Sequence, residues 1–280
     1  MKMDIRVEKT QTPKAKPAKG EELGFGTHFT DHMFIMDYDA DQGWHDARIV
    51  PFGPIMMHPG STILHYGAGA FEGMKAYRKA DGTCQLFRPE ENAKRMERSI
   101  DRLCLPHLDA ETILDVIERF VAFEQDWVPS EKGESLYIRP YEFGCDEPIG
   151  LHTIKKAKFM IITCPVGNYY KEGLKPVKIA IEEHDVRAVR GGTGDCKVGG
   201  NYAASNRAEA VAEENGFTQV LWLDGVHQKY IEEVGSMNVM FKINGEVITP
   251  MLTGSVLPGI TRTSASVACG LPRRTLSRML

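Results

Sequence analysis

The chain has 280 residues, of which 42% are hydrophobic and 26% are charged, and its formal net charge at pH 7 is −4. This composition is typical of a globular protein that buries its own core, and the acidic balance argues against a nucleic-acid-binding surface. No apolar run approaches the roughly 20 residues of a transmembrane helix, and the N-terminus lacks the apolar segment of a secretory signal.

The six cysteines are scattered along the chain without a Cys-x-x-Cys pair. Most of them lie in apolar surroundings, as in Leu103-Cys104-Leu105. This pattern favours reduced, buried thiols in a cytoplasmic protein over a disulfide framework. No motif indicates a metal site.

The first elements belong to a predicted small α/β domain over residues 23–166. Residues 1–22 are rich in Lys, Pro, Thr and Glu, and we expect them to form a mobile arm. A strand is predicted at His32–Tyr38, and Asp81-Gly82 is a typical hairpin turn between two further strands. Between them, Tyr66 and Phe71 either line a pocket or fill the core.

Two helices follow. The first opens at Pro89 and runs to about Leu103, with Met96 and Ile100 on its apolar stripe. Arg95 lies beside this stripe, so its guanidinium either binds an anion or extends along the surface to solvent. The second helix is capped by Asp109.

Strands are predicted at Ser135–Gly144 and Lys158–Val166. Tyr137 and Arg139 share one face of the first of these, because alternate residues of a strand point the same way. The pair either reads a substrate carboxylate or is an ordinary cross-strand surface pair.

Residues 167–176 have weak periodicity and contain Gly, Pro and charged residues, so we place the interdomain connection there and a second, cofactor-binding domain at residues 177–280. This domain is predicted to contain strands at Val177–Glu182 and Gln219–Leu223 and a helix at Asn206–Asn215. A hairpin is predicted to turn at Asn244-Gly245.

One lysine of the second domain, Lys197, lies between the glycine pairs 191–192 and 199–200. A desolvated lysine amine attacks carbonyls and forms a Schiff base, and glycine lets a ligand approach the backbone. A phosphate-binding P-loop is excluded, because Cys196 and Val198 stand where that motif needs Gly and Ser or Thr. A solvated lysine in a glycine-rich surface loop is the other interpretation.

Several motifs between Phe25 and Arg262 resemble, in order and spacing, those of the branched-chain amino acid aminotransferases, which are pyridoxal-phosphate enzymes of fold type IV. They are FGTHFTDHMF, LHYGAGAFEGMKAY, LFRPEENAKRMERSIDRLCLP, SLYIRP, GGTGDCKVGGNYAAS, EVGSMN and LPGITR. The last three favour the L-amino-acid branch over D-amino-acid transaminases or lyases of the same fold. The resemblance implies a two-domain α/β (α+β) protein with a barrel-like large domain.

The resemblance also implies a cofactor site. Lys197 would form the Schiff base with pyridoxal 5'-phosphate and move the substrate proton, and Glu233 would keep the pyridine nitrogen protonated. Tyr202 would hydrogen-bond the phenolic oxygen. The remaining residues implied near the cofactor are Arg95, Ile260 and Thr261 at the phosphate, with Arg187 and Ser236 close by. For Ser236, a hydroxyl at the start of a strand is the alternative.

The implied substrates are leucine, isoleucine and valine, whose amino group passes to 2-oxoglutarate to give branched-chain 2-oxo acids and L-glutamate, as in branched-chain amino acid biosynthesis. The residues implied in the side-chain pocket are Phe25, Phe71, Tyr137 and Tyr169. Tyr66 would reach in from the partner subunit of a homodimer. Arg139 and Tyr66 are the candidates for the distal carboxylate of 2-oxoglutarate.

The sequence departs from the family after Arg262, where it runs through Gly270 and Pro272 to a basic end without a clear amphipathic period. We therefore expect the large domain to be C-terminally incomplete. A truncated remnant of the family with impaired catalysis and weak cofactor binding is the alternative function.

Overall fold

The computed structural model describes residues 3–167 and 175–268. The chain divides into two compact units, Met1–Leu174 and Lys175–Leu280. Most of the predicted interdomain connection, residues 168–174, lies outside the described residues, as does the end of the chain from residue 269. No helix in the described part of the chain combines the length and the apolar character needed to cross a membrane.

Unit 1 contains a sheet of eight strands with three α-helices. The strands are β1 (Arg6–Val7), β2 (His32–Asp39), β3 (Gly43–Pro51), β4 (Gly69–Phe71), β5 (Met74–Arg78), β6 (Cys84–Leu86), β7 (Ser135–Gly144) and β8 (Lys156–Val166). The helices are α1 (Thr62–Tyr66), α2 (Pro89–Arg102) and α3 (Ala110–Phe123), and a 3₁₀ turn spans Gln125–Trp127.

The strand order is β1-β3-β2-β8-β7-β5-β6, with β4 paired to β7. Strand β1 runs parallel to its neighbour β3, and the other strand pairs of this sheet are antiparallel. In β7, Leu136 and Ile138 are fully buried, whereas Tyr137 and Arg139 on the opposite face are only half-buried. The alternation predicted for this strand is therefore confirmed, and it presents Tyr137 and Arg139 on one face.

The two predicted helices of unit 1 are confirmed. Met96 and Ile100 of α2 are fully buried, as the apolar stripe indicated. The Asp109 side chain accepts a hydrogen bond from the Thr112 backbone N–H at 2.8 Å, which caps α3. The predicted hairpin around Asp81-Gly82 corresponds to β5 and β6.

The N-terminal segment differs from the mobile arm that its composition suggested. Residues 6 and 7 form β1 at the edge of the sheet. Further along, the Thr10 backbone N–H donates to His32 Nε2 at 2.9 Å. Lys14 Nζ donates to the carbonyls of Phe29 and Thr30 at 3.1 and 2.8 Å. The charged residues that suggested solvation are thus used to attach the segment to unit 1.

Unit 2 has two small sheets and three helices among its described residues. Its strands are β9 (Ile179–Ile181), β10 (Gln219–Leu223), β11 (Ile231–Val234), β12 (Phe241–Ile243) and β13 (Glu246–Ile248). Its helices are α4 (Gly199–Ala203), α5 (Asn206–Glu214) and α6 (Ile260–Ala268). Strand β10 pairs with β9 in parallel and with β11 antiparallel.

The core of unit 2 lies where α5 packs on β10. It contains Ala208 and Ala212 from the helix and Val220 and Trp222 from the strand. The predicted hairpin is formed by β12 and β13, with Asn244 and Gly245 at positive φ of 50° and 85°. The segment Ile231–Val234 forms strand β11. It places Glu232 and Glu233 inside unit 2.

Candidate active site

The loop that carries Lys197 is stabilised by hydrogen bonds from one buried side-chain amide, that of Asn201. Asn201 Nδ2 donates to the carbonyls of Thr193 and Cys196 at 2.8 and 2.9 Å, and Asn201 Oδ1 accepts from Thr193 Oγ1 at 2.7 Å. In the same loop a Cβ at Gly194 would lie 2.3 Å from the Ser255 carbonyl oxygen. The loop is therefore closely packed rather than a freely solvated surface loop.

Lys197 itself is half-buried, with its amine facing a phenol. Its Nζ donates to Tyr202 Oη at 2.8 Å. Helix α4 begins at Gly199, directly after Val198, and carries Tyr202 back over the lysine. The pair provides a positioned amine with a hydroxyl partner that can accept or donate a proton.

A buried carboxylate lies in the same unit. Glu233 is 3% exposed, and its Oε2 pairs with Arg187 Nη2 at 2.7 Å. Its Oε1 accepts from Asn238 Nδ2 at 2.6 Å. Burial raises the pKa of Glu233, and the guanidinium of Arg187 opposes that rise. The acid is thus held in a fixed orientation by a cation and an amide.

Tyr202, Arg187 and Glu233 border one cavity, and Lys197 is not among its lining residues. Its lining residues are Arg187, Cys196, Asn201, Tyr202, Ser205, Glu233, Gly235, Ser236 and Leu257. Gly235 has a positive φ of 52°, and a Cβ there would lie 1.7 Å from Gln219 Oε1, so a larger residue would be strained at this wall. Of the predicted cofactor residues, Arg187, Tyr202, Glu233 and Ser236 therefore line a shared space.

At about 20 Å³ this cavity has room for about one water molecule, so it is the chemistry of its polar groups that matches a pyridine ring with a hydroxyl group. Arg187 Nε is buried and has no hydrogen-bond partner among the described residues. A buried polar atom of this kind is costly unless a ligand or water satisfies it. With the carboxylate of Glu233 and the hydroxyls of Tyr202 and Ser236, the cavity has groups that match a ring nitrogen and ring oxygens.

Ile260 and Thr261 open α6, a helix of nine residues. They are not part of the cavity lining just described. The turn before them is joined to the acid, because Asn238 Nδ2 donates both to Glu233 and to the Leu257 carbonyl, the latter at 2.9 Å. Backbone N–H groups at a helix start are suited to bind phosphate.

Arg95 lies in unit 1 and has an acidic partner. It is 8% exposed, and its Nε and Nη2 donate to the two carboxylate oxygens of Glu72 at 2.5 and 3.0 Å. Glu72 is fully buried and also accepts from Asn92 Nδ2 at 2.8 Å. The interpretation of Arg95 as a residue that extends to solvent is therefore wrong, since a buried ion pair holds its guanidinium.

The predicted substrate residues of unit 1 cluster on one face of the sheet. Arg139 Nη2 donates to Tyr137 Oη at 2.8 Å, and its Cζ lies 4.6 Å from the centroid of the Phe71 ring. The Phe25 ring meets Tyr137 edge-on at 4.8 Å. The structure thus brings Phe71 and Tyr137 against the guanidinium of Arg139, and Phe25 against Tyr137.

Phe71 and Arg139 also line a cavity of about 460 Å³, which is within the range for small-molecule sites. Its remaining lining residues are Ile55, Met57, Ile63, Leu64, Gly69, Ala70, Tyr141, Phe143 and Ile162. We name it the apolar cavity. Its walls suit an aliphatic side chain, and Arg139 adds a single positive charge.

Two predicted residues stand apart from this cluster. Tyr66 ends α1 and is 44% exposed. Tyr169 lies outside the described residues. Sequence reasoning missed Glu72, Asn201 and Asn238 as supporting residues, and the available signal was that all three fall inside glycine-containing motifs.

Comparison with known proteins is consistent with this geometry. The family model described as class IV amino-transferase matches residues 69–271. The chain is 56% identical over 263 residues to a branched-chain-amino-acid aminotransferase 2 of Bacillus subtilis (strain 168), covering 94% of this chain and 72% of the relative.

Solved structures are also similar. A branched-chain aminotransferase from the thermophilic archaeon Thermoproteus uzoniensis, crystallised with norvaline, matches with a TM-score of 0.69 at 25% identity, covering 86% of this chain and 76% of that one. A T.th. branched-chain amino acid aminotransferase with pyridoxamine 5'-phosphate matches with a TM-score of 0.69 at 27% identity, covering 84% and 74%.

Proposed function

Because the chain belongs to the class IV amino-transferase family, and within it to the branched-chain-amino-acid aminotransferases, we propose that it transfers the amino group of L-leucine, L-isoleucine or L-valine to 2-oxoglutarate. The products are the branched-chain 2-oxo acids and L-glutamate. One observation carries the proposal: the amine of Lys197 donates a hydrogen bond to Tyr202, which lines the same cavity as the buried acid Glu233.

We propose pyridoxal 5'-phosphate as the cofactor, since unit 2 carries the amine, carboxylate and hydroxyl groups that would hold it. Lys197 would hold this group, which would supply an electron sink for negative charge on the substrate carbon. Glu233 would keep a proton on the ring nitrogen, and Tyr202 would hydrogen-bond the ring hydroxyl. Arg187 and Ser236 complete the wall of the cavity.

Lys197 is the proposed base. Its Nζ would take the substrate proton, and Tyr202 Oη, which accepts a hydrogen bond from it at 2.8 Å, would keep it oriented. The neighbouring Asn201 bonds fix the backbone from which the lysine extends. Lys197 therefore acts twice, first as the covalent attachment point and then as the group that moves the proton.

For the phosphate group we keep two separate proposals, Arg95 within unit 1 and the start of α6 at Ile260 and Thr261 within unit 2. Glu72 fixes the orientation of Arg95 through two hydrogen bonds, which is consistent with a guanidinium aimed at one anion. The backbone N–H groups at the start of α6 add donors. The Thr261 hydroxyl is exposed and adds a further donor.

The substrate side chain is assigned to Phe25, Phe71, Tyr137 and Tyr169, with the apolar cavity beside them. Aliphatic walls favour leucine, isoleucine and valine. The Arg139 guanidinium, held by Tyr137 Oη, is suited to the distal carboxylate of 2-oxoglutarate and glutamate. One site can then accept both substrates, the apolar one on its walls and the acidic one on its single cation.

We also propose that the protein is a cytoplasmic homodimer. The free thiols among the described residues are consistent with a reducing compartment. Leu64 and Tyr66 on α1 are 59% and 44% exposed, and Leu64 borders the apolar cavity. An exposed apolar surface of this kind is typical of a subunit interface, from which Tyr66 would reach the partner's site.

Measuring amino transfer directly tests the function. Protein loaded with pyridoxal 5'-phosphate is given L-leucine, L-isoleucine, L-valine or D-alanine with 2-oxoglutarate, and L-glutamate is quantified. We expect glutamate from the three branched-chain L-amino acids and little from D-alanine. Production of glutamate from D-alanine alone, or from none of the four, would contradict the proposal.

A further inference from the structure

The second acid of strand β11, Glu232, lies beside the proposed cofactor acid but is not part of the cavity lining. It is 6% exposed, and its Oε1 accepts a hydrogen bond from the Ser255 hydroxyl. Its Oε2 has no hydrogen-bond partner among the described residues. Glu232 lies at a register shift between β10 and β11, where Trp222 is opposite Glu233 and Leu223 is opposite Ile231. No step of the proposed reaction uses it.

Ser255 connects the two acids. Its hydroxyl donates to Glu232, and the Thr253 hydroxyl lies 2.8 Å from it. Its backbone carbonyl accepts from Arg187 Nη2, the same nitrogen that pairs with Glu233 at 2.7 Å. Ser255 is 2% exposed, so water has little access to compete for these bonds. A chain of contacts therefore runs from Glu232 through Ser255 and Arg187 to Glu233.

The same serine also touches the lysine loop. The backbone of Gly194 approaches the Ser255 carbonyl so closely that a Cβ there would lie 2.3 Å from that oxygen. Gly194 precedes Lys197 by three positions in the sequence. The position of Ser255 thus affects both the acid and the amine of the proposed site.

We propose that Glu232 is a positioning residue, which anchors Ser255 so that its carbonyl holds Arg187 against Glu233. This inference rests on the proposed function, since it assigns Glu233 to the ring nitrogen of the cofactor. Glu232 acts as a hydrogen-bond acceptor and not through negative charge. A neutral acceptor of the same shape therefore serves equally well.

If Glu232 acts through its charge, its removal shifts the pKa of Glu233 in one direction, and if it acts by positioning Arg187, the shift is in the other direction. The charged groups that act on the two acids are Arg187, Arg262, Asp224 and the acids themselves. If Glu232 acted as a charge, its removal would relieve like-charge repulsion and lower the pKa of Glu233. If it acts by position, its removal loosens Arg187, and the pKa of Glu233 rises. Burial also raises the pKa of Glu232, which favours its neutral form.

The test compares Glu232→Ala, Glu232→Gln and Ser255→Ala with Glu246→Ala, an exposed glutamate of β13 in the same unit, as the matched control. The first measurement is the dissociation constant of pyridoxal 5'-phosphate. We expect Glu232→Ala and Ser255→Ala to weaken binding about tenfold, the lower end of the effect of removing residues that orient a ligand's direct partners in metal sites. Glu232→Gln and the control should stay near the parent protein.

The second measurement uses the apoprotein and is independent of the proposed function. The δ-carboxyl carbons of the glutamates are labelled with ¹³C and titrated by NMR, and Glu233→Gln assigns the Glu233 signal. Glu232→Ala and Ser255→Ala should raise its titration midpoint, and Glu232→Gln should leave it unchanged. If Glu232→Ala fails to fold, Ser255→Ala decides, because it keeps the main-chain carbonyl.

Two results would overturn the inference. A lower Glu233 midpoint in Glu232→Gln would show that Glu232 acts through its charge. An unchanged midpoint in both Glu232→Ala and Ser255→Ala would show that it does not position Arg187. If the parent protein takes up no pyridoxal 5'-phosphate at all, the proposed function fails, and the NMR titration still decides whether Glu232 orients the buried pair.

Discussion

Lys197 Nζ lies 2.8 Å from Tyr202 Oη, and the tyrosine belongs to the short helix α4 that follows the lysine in the sequence. Helix α4 starts two residues after the lysine and returns the phenol to it. The amine is therefore oriented by a neighbour from its own loop. The Asn201 side chain holds that loop in place with two hydrogen bonds to backbone carbonyls.

Tyr202→Phe removes only the phenolic oxygen that Lys197 contacts. We expect weaker binding of pyridoxal 5'-phosphate by about 1.5–3 kcal/mol, the net value of a hydrogen bond to a charged group. A titration followed by visible absorbance measures the change. Tyr230→Phe, a tyrosine of unit 2 that does not line the cavity, is the control. Equal affinities in the two variants would show that the phenol of Tyr202 is not used.

Glu72→Ala leaves the guanidinium of Arg95 buried without its carboxylate. Breaking a buried pair by removing one partner costs about 3–5 kcal/mol, because an uncompensated charge remains. We expect a loss of this size in the free energy of unfolding in urea. Glu91→Ala, which removes a solvent-exposed pair with Lys94 on the same helix as Arg95, should cost about 1 kcal/mol or less. Similar losses in both variants would contradict a structural role for the buried pair.

Much of unit 1 could be predicted from local patterns, as α2 and α3 illustrate. Their apolar stripes and the Asp109 cap depend on residues three or four apart, so periodicity indicates them. The partner of Arg95 could not be predicted in this way. Glu72 is 23 residues earlier, and only the packing of α2 near β4 brings the two together.

In the N-terminal segment, composition gave an expectation that differs from the structure. Composition suggested a mobile arm, because the segment carries Lys, Pro, Thr and Glu and large apolar residues are almost absent after Val7. The contacts that attach it are hydrogen bonds from backbone and lysine, such as Thr10 to His32 and Lys14 to Thr30. Their acceptors are distant in sequence, so no local pattern reports them. In unit 2, the order of motifs indicated Lys197, Tyr202 and Glu233, but not the amides that hold them.

Glu142 gives a pH-dependent prediction. It is fully buried in β7, both of its carboxylate oxygens lack a hydrogen-bond partner among the described residues, and burial raises its pKa well above the usual value. Asp101 adds like-charge repulsion. In the unfolded chain this acid ionises at lower pH than in the fold. Its neutral form therefore stabilises the fold below its unfolded pKa, and that contribution is lost as pH rises through the folded pKa.

Glu142→Leu should accordingly stabilise the protein at pH 7 by about 1–3 kcal/mol, the desolvation cost of an unsatisfied buried polar group. The gain should shrink towards about pH 4, near the usual pKa of a glutamate, where the acid is largely neutral in both states. Urea unfolding at the two pH values measures this. Glu118→Leu on the exposed face of α3 is the control. A gain that is the same at both pH values would mean that ionisation of Glu142 is not involved.

Arg139→Met tests how one site accepts two kinds of substrate. The variant keeps most of the length of the side chain but loses the charge beside Tyr137 and Phe71. We expect KM for 2-oxoglutarate to rise about 10- to 150-fold, because a charge-assisted hydrogen bond is lost. KM for a branched-chain 2-oxo acid should change about threefold or less. Arg98→Met, on an exposed position of α2, controls for loss of charge, and equal effects on both substrates would exclude Arg139 as the carboxylate reader.

The most direct test of the account is to find which lysine holds the cofactor. The protein is incubated with pyridoxal 5'-phosphate, reduced with borohydride, digested and examined by mass spectrometry, with Lys197→Ala and the exposed-site control Lys242→Ala treated in parallel. We expect the phosphopyridoxyl group on the peptide that contains Lys197, in the parent protein and in Lys242→Ala, and on no peptide of Lys197→Ala. Its presence on another lysine of the parent protein, or undiminished labelling of Lys197→Ala, would contradict the assignment of Lys197.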